Sequence, residues 1–403
     1  MAPRSNRRLH YLDHASMGRP APRTVARVRE AVAALKDFQG GGTPETLLQF
    51  DAVERARKRV AKAINAEPEQ ILFVGNTSQA LGTIATTLPL KRGDQILFAD
   101  VEFMGAPLVW RGVCERVGVE LVPVRTRNGR ISPDDFRAAV NPKARAISIS
   151  SVQEISGFRS DIPAIREIAD KFGTLLIVDG IQEVGARPVD FRAMGADAYC
   201  AGGHKWLRSP FGLGFACLGD RLLKMLQPTF QGYLAMAEPE IGWSAYMELP
   251  NRTPFESLTE RRDAGRLEMG GYPNWLGALA LDAALEEWLE AGPARVWYSI
   301  LKLRRRLTDG LKKLDLRILS SEDAPESEFA GIVTFCLAGG IEDEKKLAAE
   351  LDRKRIYVSV RYISGVGGIR TGIHVTNTPS DIDALLDVTR RFVSKAKRAR
   401  RSA

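Results

Sequence analysis

The strongest constraint on the fold is the alternation of short apolar runs with helical patterns in the N-terminal half of the chain. Segments such as 22–36, 51–66 and 162–172 carry apolar residues at helical spacing. The apolar runs that predict buried strands are 71–74, 94–100, 119–124, 146–151, 174–180 and 211–218. This alternation predicts an α/β fold with a mostly parallel sheet covered by helices on both faces.

The pattern changes after about residue 250. Two long helical patterns, 274–292 and 294–314, are followed by shorter apolar runs at 331–339, 356–363 and 368–376, with helical patterns among them. The change predicts a second, smaller C-terminal α/β domain.

Composition narrows the class of protein. The chain has 403 residues, 44% of them hydrophobic, and 58 Lys and Arg against 49 Asp and Glu give a net charge of +9. Much of this excess lies in the two termini, which we interpret as solvated tails; no basic stripe interleaved with aromatic residues predicts nucleic-acid binding. No run is apolar enough to cross a membrane, and the N-terminus lacks the apolar region of a signal peptide. We therefore expect no membrane or nucleic-acid partner.

The cysteines favour a reducing compartment. Cys114, Cys200, Cys217 and Cys336 are far apart and show no CxxC spacing. This pattern predicts reduced thiols and a cytoplasmic protein, with neither a disulfide framework nor a metal site.

Polar groups stand where several predicted strands end. Asp179 follows the apolar run 175–178, Thr77 and Ser78 open a strand-to-helix turn, and Lys205 lies on a further loop between two buried segments. Helix capping would account for the first three residues taken singly. Together, a phosphate-binding turn, a carboxylate and a lysine are the groups that pyridoxal 5′-phosphate requires.

Five segments, in the right order, resemble the class V aminotransferase family of pyridoxal-phosphate enzymes, which includes cysteine desulfurases, kynureninase and isopenicillin N epimerase. They read YLDHAS, FVGNTSQAL, LLIVDGIQEVGARPVDF, GGHKWLRSPFGLGFACL and GIRTGIHVTNTPSDIDALL. The resemblance covers nearly the whole chain. It implies a homodimer of pyridoxal-phosphate fold type I, with a large cofactor-binding domain at 21–260 and a small domain at 261–403 joined by residues 1–20.

The resemblance also implies roles around the cofactor. Lys205 would form the Schiff base and, once released, shuttle the Cα proton. Asp179 would pair with the protonated pyridine nitrogen, and Gln182 would donate to the phenolic oxygen. Thr77 and Ser78 would bind the phosphate.

Further positions are implied beside these. His204 would contact the phosphate or pack beside it, and the ring of Phe103 would stack on the pyridine. On the substrate side, Arg370 would grip the α-carboxylate, Gln153 would face the substrate side of the cofactor, and His14 would reach the substrate.

The chain departs from the family pattern at three places. The stretch before Arg370 has no cysteine in the position where desulfurases carry their nucleophile. Gly202 and Gly203 stand where the family usually has Ser or Thr before the lysine. Gly271 or Tyr272 replaces the Thr that a partner subunit often donates to the phosphate.

These observations predict an enzyme that acts at Cα of a small-molecule amino acid. We expect an aminotransferase first, because transamination needs no further group. An epimerase or a Cβ-eliminating C–S lyase are the alternatives. A cysteine desulfurase is disfavoured by the missing cysteine, and a non-catalytic binding protein by the intact Lys205, Asp179 and Gln182.

Overall fold

The computed structural model describes residues 8–37, 44–268, 270–319 and 325–401. The strands are β1 (His10–Tyr11), β2 (Ile71–Val74), β3 (Gln95–Ala99), β4 (Glu120–Val124), β5 (Ala144–Ser150), β6 (Leu175–Asp179), β7 (Ala198–Gly202), β8 (Gly214–Leu218), β9 (Arg317–Ile318), β10 (Ile332–Cys336), β11 (Ile356–Tyr357), β12 (Ser359–Ile363) and β13 (Val366–Gly372). The α-helices are α1 (Pro22–Ala34), α2 (Pro44–Ile64), α3 (Thr77–Thr87), α4 (Gly105–Val117), α5 (Pro133–Ala139), α6 (Ile162–Asp170), α7 (Phe191–Met194), α8 (Asp220–Leu223), α9 (Gly242–Met247), α10 (Trp275–Ala291), α11 (Pro293–Lys312), α12 (Gly340–Arg353) and α13 (Pro379–Arg401). None of the helices in the described residues has the length and apolar character needed to span a bilayer.

The central sheet has seven strands in the order β2-β8-β7-β6-β5-β3-β4. All neighbours pair in parallel except β8, which is antiparallel to both β2 and β7. The predicted α/β fold with a mostly parallel sheet is confirmed. The sequence prediction omitted β7, whose residues Ala198–Gly202 are all buried.

Helices cover both faces of this sheet, as its strand sequences require. In β6, Leu175 and Ile177 face the side of α3 and α4, whereas Leu176 and Val178 face the side of α2, α5, α6 and α10. All four side chains are fully buried. Burial of each such aliphatic side chain contributes about 2 kcal/mol, so the continuous apolar run places β6 in the middle of the sheet.

A smaller antiparallel sheet, β12-β13-β10-β9, forms with α11, α12 and α13 the second core. The N-terminal segment joins this part of the molecule, since β1 pairs in parallel with β11 and Leu12 is buried in the same core. The helix α10 packs on α1 and α2 beside the large sheet. We therefore propose that the boundary between the domains lies within α11, beyond the predicted residue 261.

Candidate active site

The polar residues predicted from the strand ends gather at one edge of the large sheet. Asp179 ends β6, Lys205 lies in the loop after β7, and Ser150 ends β5. The loops after β2 and β3 bring Thr77 and Phe103 to the same edge. Ligands of open α/β sheets bind at this edge, outside the carboxyl ends of the strands.

The loop that carries Lys205 is tightly enclosed by backbone. The amide of Gly18 donates to the carbonyl of His204 at 2.8 Å, and a Cβ at Gly18 would lie 1.9 Å from the carbonyl oxygen of Lys205. A Cβ at Gly203 would lie 3.0 Å from Cβ of Ser209 and 3.1 Å from Leu281. Glycine at 203, in place of the family's Ser or Thr, therefore allows close packing of this loop.

Burial lowers the pKa of the Lys205 amine, although Asp179 and other nearby carboxylates oppose the shift. Its Nζ lies 5.9 Å from the centre of the Phe103 ring. The neutral amine is the nucleophilic form, so this environment suits a lysine that must react.

Asp179 is a buried carboxylate, 7% exposed, at the end of β6. Burial raises its pKa to about 6, against the opposing effects of the Ile181 amide, which donates to Oδ1 at 3.0 Å, and of Lys205. The chain after Asp179 forms turns rather than a helix. Helix capping, the simpler explanation of this residue, is thereby excluded.

Capping does not explain Thr77 either. The N-cap of α3 is Asn76, whose side chain accepts from the amide of Gln79 at 2.9 Å. Thr77 and Ser78 thus occupy the first turn, and Oγ1 of Thr77 is buried with no hydrogen-bond partner among the residues that the structure describes. A buried, unpaired hydroxyl beside the free amides of a helix N-terminus fits a phosphate group.

One buried acid at the site, Glu102, was not predicted from the sequence. Glu102, next to Phe103, is 4% exposed and accepts hydrogen bonds from the amide and hydroxyl of Ser150 and from Nε2 of Gln153. Burial raises its pKa to about 7, with Asp179 adding to the shift and the hydrogen bonds opposing it. The sequence signal that could have indicated Glu102 is its position as a charged residue just after the strand predicted at 94–100. Glu102 joins the loop after β3 to β5 and so positions Phe103 and Gln153.

Gln153 donates to Glu102 and is 1% exposed, while its Oε1 has no hydrogen-bond partner within the described part of the chain. Gln182 is engaged at both ends of its amide: Nε2 donates to the carbonyl of Ala15 at 3.0 Å and Oε1 accepts from Trp206 at 2.8 Å. One N–H of Gln182 is left for a ligand, and its contact with a phenolic oxygen stays a prediction.

The two histidines have different surroundings. The His14 ring is 1% exposed and stacks on His374 at 4.7 Å, and burial lowers its pKa well below the usual value. Its Nδ1 has no hydrogen-bond partner. His204 packs against the ring of Phe211 at 5.3 Å. Substrate contact by His14 and phosphate contact by His204 stay predictions.

Arg370 lies on β13 and is 1% exposed. Its Nη2 donates to Oγ of Ser16 at 2.6 Å and its Nε donates to Oγ of Ser359 at 3.2 Å. Carboxylates of Asp13 and Glu154 lie 3.5 Å and 3.3 Å from its two terminal nitrogens. A buried guanidinium at the edge of the site agrees with a carboxylate clamp, but its acidic neighbours were not predicted.

The surroundings of the four thiols disfavour their ionisation. Cys114, Cys200 and Cys217 are buried, and Cys336 donates to the carbonyl of Gly367 at 3.2 Å. Burial raises the pKa of all four thiols. A nucleophilic cysteine requires a lowered pKa and access to its target. Tyr272, which with Gly271 stands where the family has the Thr that a partner subunit donates, is 70% exposed.

Comparison with known proteins identifies the class to which this fold and site belong. The family model "Aminotransferase class-V" matches residues 11–385, and the chain therefore belongs to that family. The predicted family and its cofactor, pyridoxal 5′-phosphate, are confirmed. The buried hydroxyl of Thr77, the carboxylate of Asp179 and the amine of Lys205 fit its phosphate, ring nitrogen and aldehyde.

Relatives of this chain are named for different activities. The chain is 28% identical over 384 residues to the isopenicillin N epimerase of Streptomyces clavuligerus, covering 92% of both chains. It is 25% identical over 366 residues to a probable cysteine desulfurase of Vibrio cholerae, covering 87% of this chain and 84% of the relative.

Solved structures share the fold. The apo cysteine desulfurase of Thermococcus onnurineus NA1 matches with a TM-score of 0.83 and 24% identity, over 96% of this chain and 95% of the other. The cystine C–S lyase C-DES, in complex with cysteine persulfide, matches with a TM-score of 0.84 and 20% identity, over 96% and 98%. At these identities the likeness concerns the fold alone, which agrees with fold type I.

Proposed function

We propose that this protein is an aminotransferase that removes the Cα proton of an amino acid and delivers it to the cofactor. The observation that carries the proposal is the Lys205 amine, which is largely buried, has a lowered pKa and lies near the Asp179 carboxylate. Pyridoxal 5′-phosphate, when bound, supplies the electron sink for the negative charge at Cα.

We propose a separate role for each of the site residues. Lys205 would anchor the cofactor and, once released, would take the proton from Cα of the substrate and pass it to the cofactor. Asp179 would keep a proton on the pyridine nitrogen by charge pairing, and Thr77 and Ser78 would hold the phosphate. Arg370 orients the substrate through its carboxylate, which fixes the bond to be broken.

Two features support transamination over the other outcomes. The ring of Phe103, which carries no exchangeable proton, lies 5.9 Å from the Lys205 amine. A single base on one side is sufficient to move a proton between Cα and the cofactor, whereas epimerisation requires a proton from the opposite side. The four thiols, all with raised pKa, disfavour persulfide chemistry.

Epimerisation is a second candidate. The relative in Streptomyces clavuligerus named isopenicillin N epimerase is 28% identical and aligns over 92% of this chain.

The test begins with the holoenzyme. Borohydride should fix the cofactor on the peptide that contains Lys205, and Lys205→Ala should abolish this label, whereas the exposed control Lys224→Ala should keep it. The enzyme is then incubated with amino acids in deuterated water, and the products are separated by chiral chromatography and mass spectrometry.

An aminotransferase gives keto acids and, with Lys205 intact, exchanges the Cα proton for deuterium. Accumulation of the opposite enantiomer would establish the epimerase instead, and release of ammonia with a keto acid would establish elimination. A borohydride label on another lysine, or no exchange at Cα with any amino acid, would overturn the proposal.

A further inference from the structure

Arg370 has acidic partners before any substrate binds. Its Nη1 donates to the carbonyl of Glu154 at 3.1 Å and approaches the side-chain Oε2 of the same residue at 3.3 Å. Its Nη2 lies 3.5 Å from Oδ1 of Asp13. A guanidinium that is 1% exposed is thus flanked by two carboxylates.

The two acids differ in how firmly they are held. Oδ1 of Asp13 accepts from the hydroxyl of Ser16 at 3.0 Å and from that of Ser359 at 3.1 Å, which fixes its position. The side-chain carboxylate of Glu154 makes its one hydrogen bond within the described residues to Arg370. The side chains of Asp13 and Glu154 are similarly exposed, at 16% and 17%, so it is the weaker hydrogen bonding that makes Glu154 the acid that can turn toward a ligand.

Because two carboxylates already flank Arg370, the mobility of Glu154 affects which substrates can bind. A substrate α-carboxylate at Arg370 would be the third carboxylate around one guanidinium. Like charges held within a few ångströms in a partly buried site repel strongly, so the third carboxylate binds poorly unless a further positive charge arrives with it. Glu154 also lies near enough to Lys205 and Asp179 to affect the pKa of both, which places it at the reacting end of the site.

We propose that Glu154 is a specificity-determining residue that selects amino acids with a positively charged side chain, an ammonium or a guanidinium. As the substrate carboxylate takes the guanidinium of Arg370, the Glu154 carboxylate leaves it and pairs with the cation of the substrate. The exchange conserves the number of ion pairs. An amino acid with a neutral side chain has no cation for the displaced Glu154 carboxylate, so one ion pair would be lost. This inference rests on the proposed function and names the substrate class of the same site.

The experiment compares L-lysine with L-norleucine, which has the same carbon chain without the ammonium, and with L-glutamate. The rate of change of the cofactor absorbance and kcat/KM are measured on the holoenzyme. L-Lysine should exceed L-norleucine by at least about tenfold, as expected for a charge-assisted hydrogen bond. Glu154→Gln should remove most of this preference, and Glu154→Lys should favour L-glutamate.

The matched control is Glu167→Gln. Glu167 is an exposed residue of α6, which packs on the face of the sheet opposite α3 and α4, and the substitution makes the same change in net charge. It should leave the preference for L-lysine unchanged. A second readout is calorimetric binding of the same amino acids to Lys205→Ala, with and without Glu154→Gln, which reports recognition without turnover.

The outcomes separate the two proposals. If L-norleucine reacts and binds as well as L-lysine, or if Glu154→Gln keeps the preference, Glu154 is a neutralising partner of Arg370 and the inference fails alone. If Glu154→Gln loses the cofactor absorbance or unfolds, Glu154→Asp, which keeps the charge, must retain the preference for the inference to stand. If no amino acid changes the cofactor absorbance, the proposed function fails, and the substrate class fails with it.

Discussion

Replacing Glu102 by Gln tests the electrostatics on which the site is built. The residue is 4% exposed, and its carboxylate accepts three hydrogen bonds from Ser150 and Gln153. Burial raises its pKa from 4.5 to about 7. An amide of the same shape can accept from the Ser150 amide and from Gln153 and can donate to the Ser150 hydroxyl, so Glu102→Gln keeps the packing and removes the titration.

The sign of the effect follows from the direction of the shift. Because the pKa in the folded protein is above that in the unfolded chain, the folded state binds the proton more tightly between these values. The resulting stabilisation is fully present below pH 4.5 and is lost as the pH rises through 7. A shift of this size corresponds to about 3 kcal/mol. Glu102→Gln should therefore gain up to about 3 kcal/mol relative to wild type between pH 5 and pH 8.

The assay is urea unfolding of the cofactor-free protein at the two pH values, followed by tryptophan fluorescence. Asp179 also titrates in this range, but it is present in both proteins and largely cancels in the difference. Glu167→Gln, an exposed substitution, controls for net charge. The infrared band of a protonated carboxylic acid, expected in wild type at pH 6, should weaken in Glu102→Gln. An equal stability difference at both pH values would refute the reasoning.

Three further perturbations test the site. Asp179→Asn should lower turnover by orders of magnitude while the cofactor stays attached to Lys205, because loss of a paired charge costs a few kcal/mol; near-normal kcat with cofactor bound would rule out the assigned role. Replacing all four cysteines by Ser should leave kcat within about threefold in folded protein, since burial raises the pKa of every thiol; a single cysteine needed for turnover but not for folding would restore the desulfurase alternative. Arg370→Ala should weaken amino-acid binding far more than binding of the corresponding amine, and Arg370→Lys should recover only part, because an ammonium lacks the two-pronged contact; equal losses for both ligands, seen in spectral titrations, would exclude carboxylate binding.

The fold was accessible from the sequence because its strands are continuous apolar runs. β6 is predicted at 174–180 and found at Leu175–Asp179, since four consecutive large aliphatic residues fit only a strand buried on both faces. β7, with the sequence AYCAG, was missed because Ala and Gly have low strand propensity and only the neighbouring strands determine its conformation.

The candidate site was accessible only in part. Asp179 and Thr77 each follow a predicted strand, and Lys205 follows a segment predicted to be buried. Because strand ends of a parallel sheet meet at one edge, local sequence could bring these residues together. Glu102 could not be found in this way, because its burial depends on Ser150 and Gln153, which come from another strand and its loop.

The acids around Arg370 show most clearly where local sequence stops being informative. Ser16 and Arg370 are 354 positions apart, and they meet because the N-terminal segment pairs with β11 and crosses beside β13. The family pattern predicts a clamp at Arg370 from its own segment, yet the charge that the clamp presents is set by Asp13 and Glu154 from elsewhere in the chain. A guanidinium with one free face binds the carboxylate of any α-amino acid. A guanidinium that is already paired with an acid favours a substrate that carries a cation for the displaced acid. The fold and the proposed reacting groups therefore follow from the family, whereas on the proposed role of Glu154 the choice of substrate would depend on these long-range contacts.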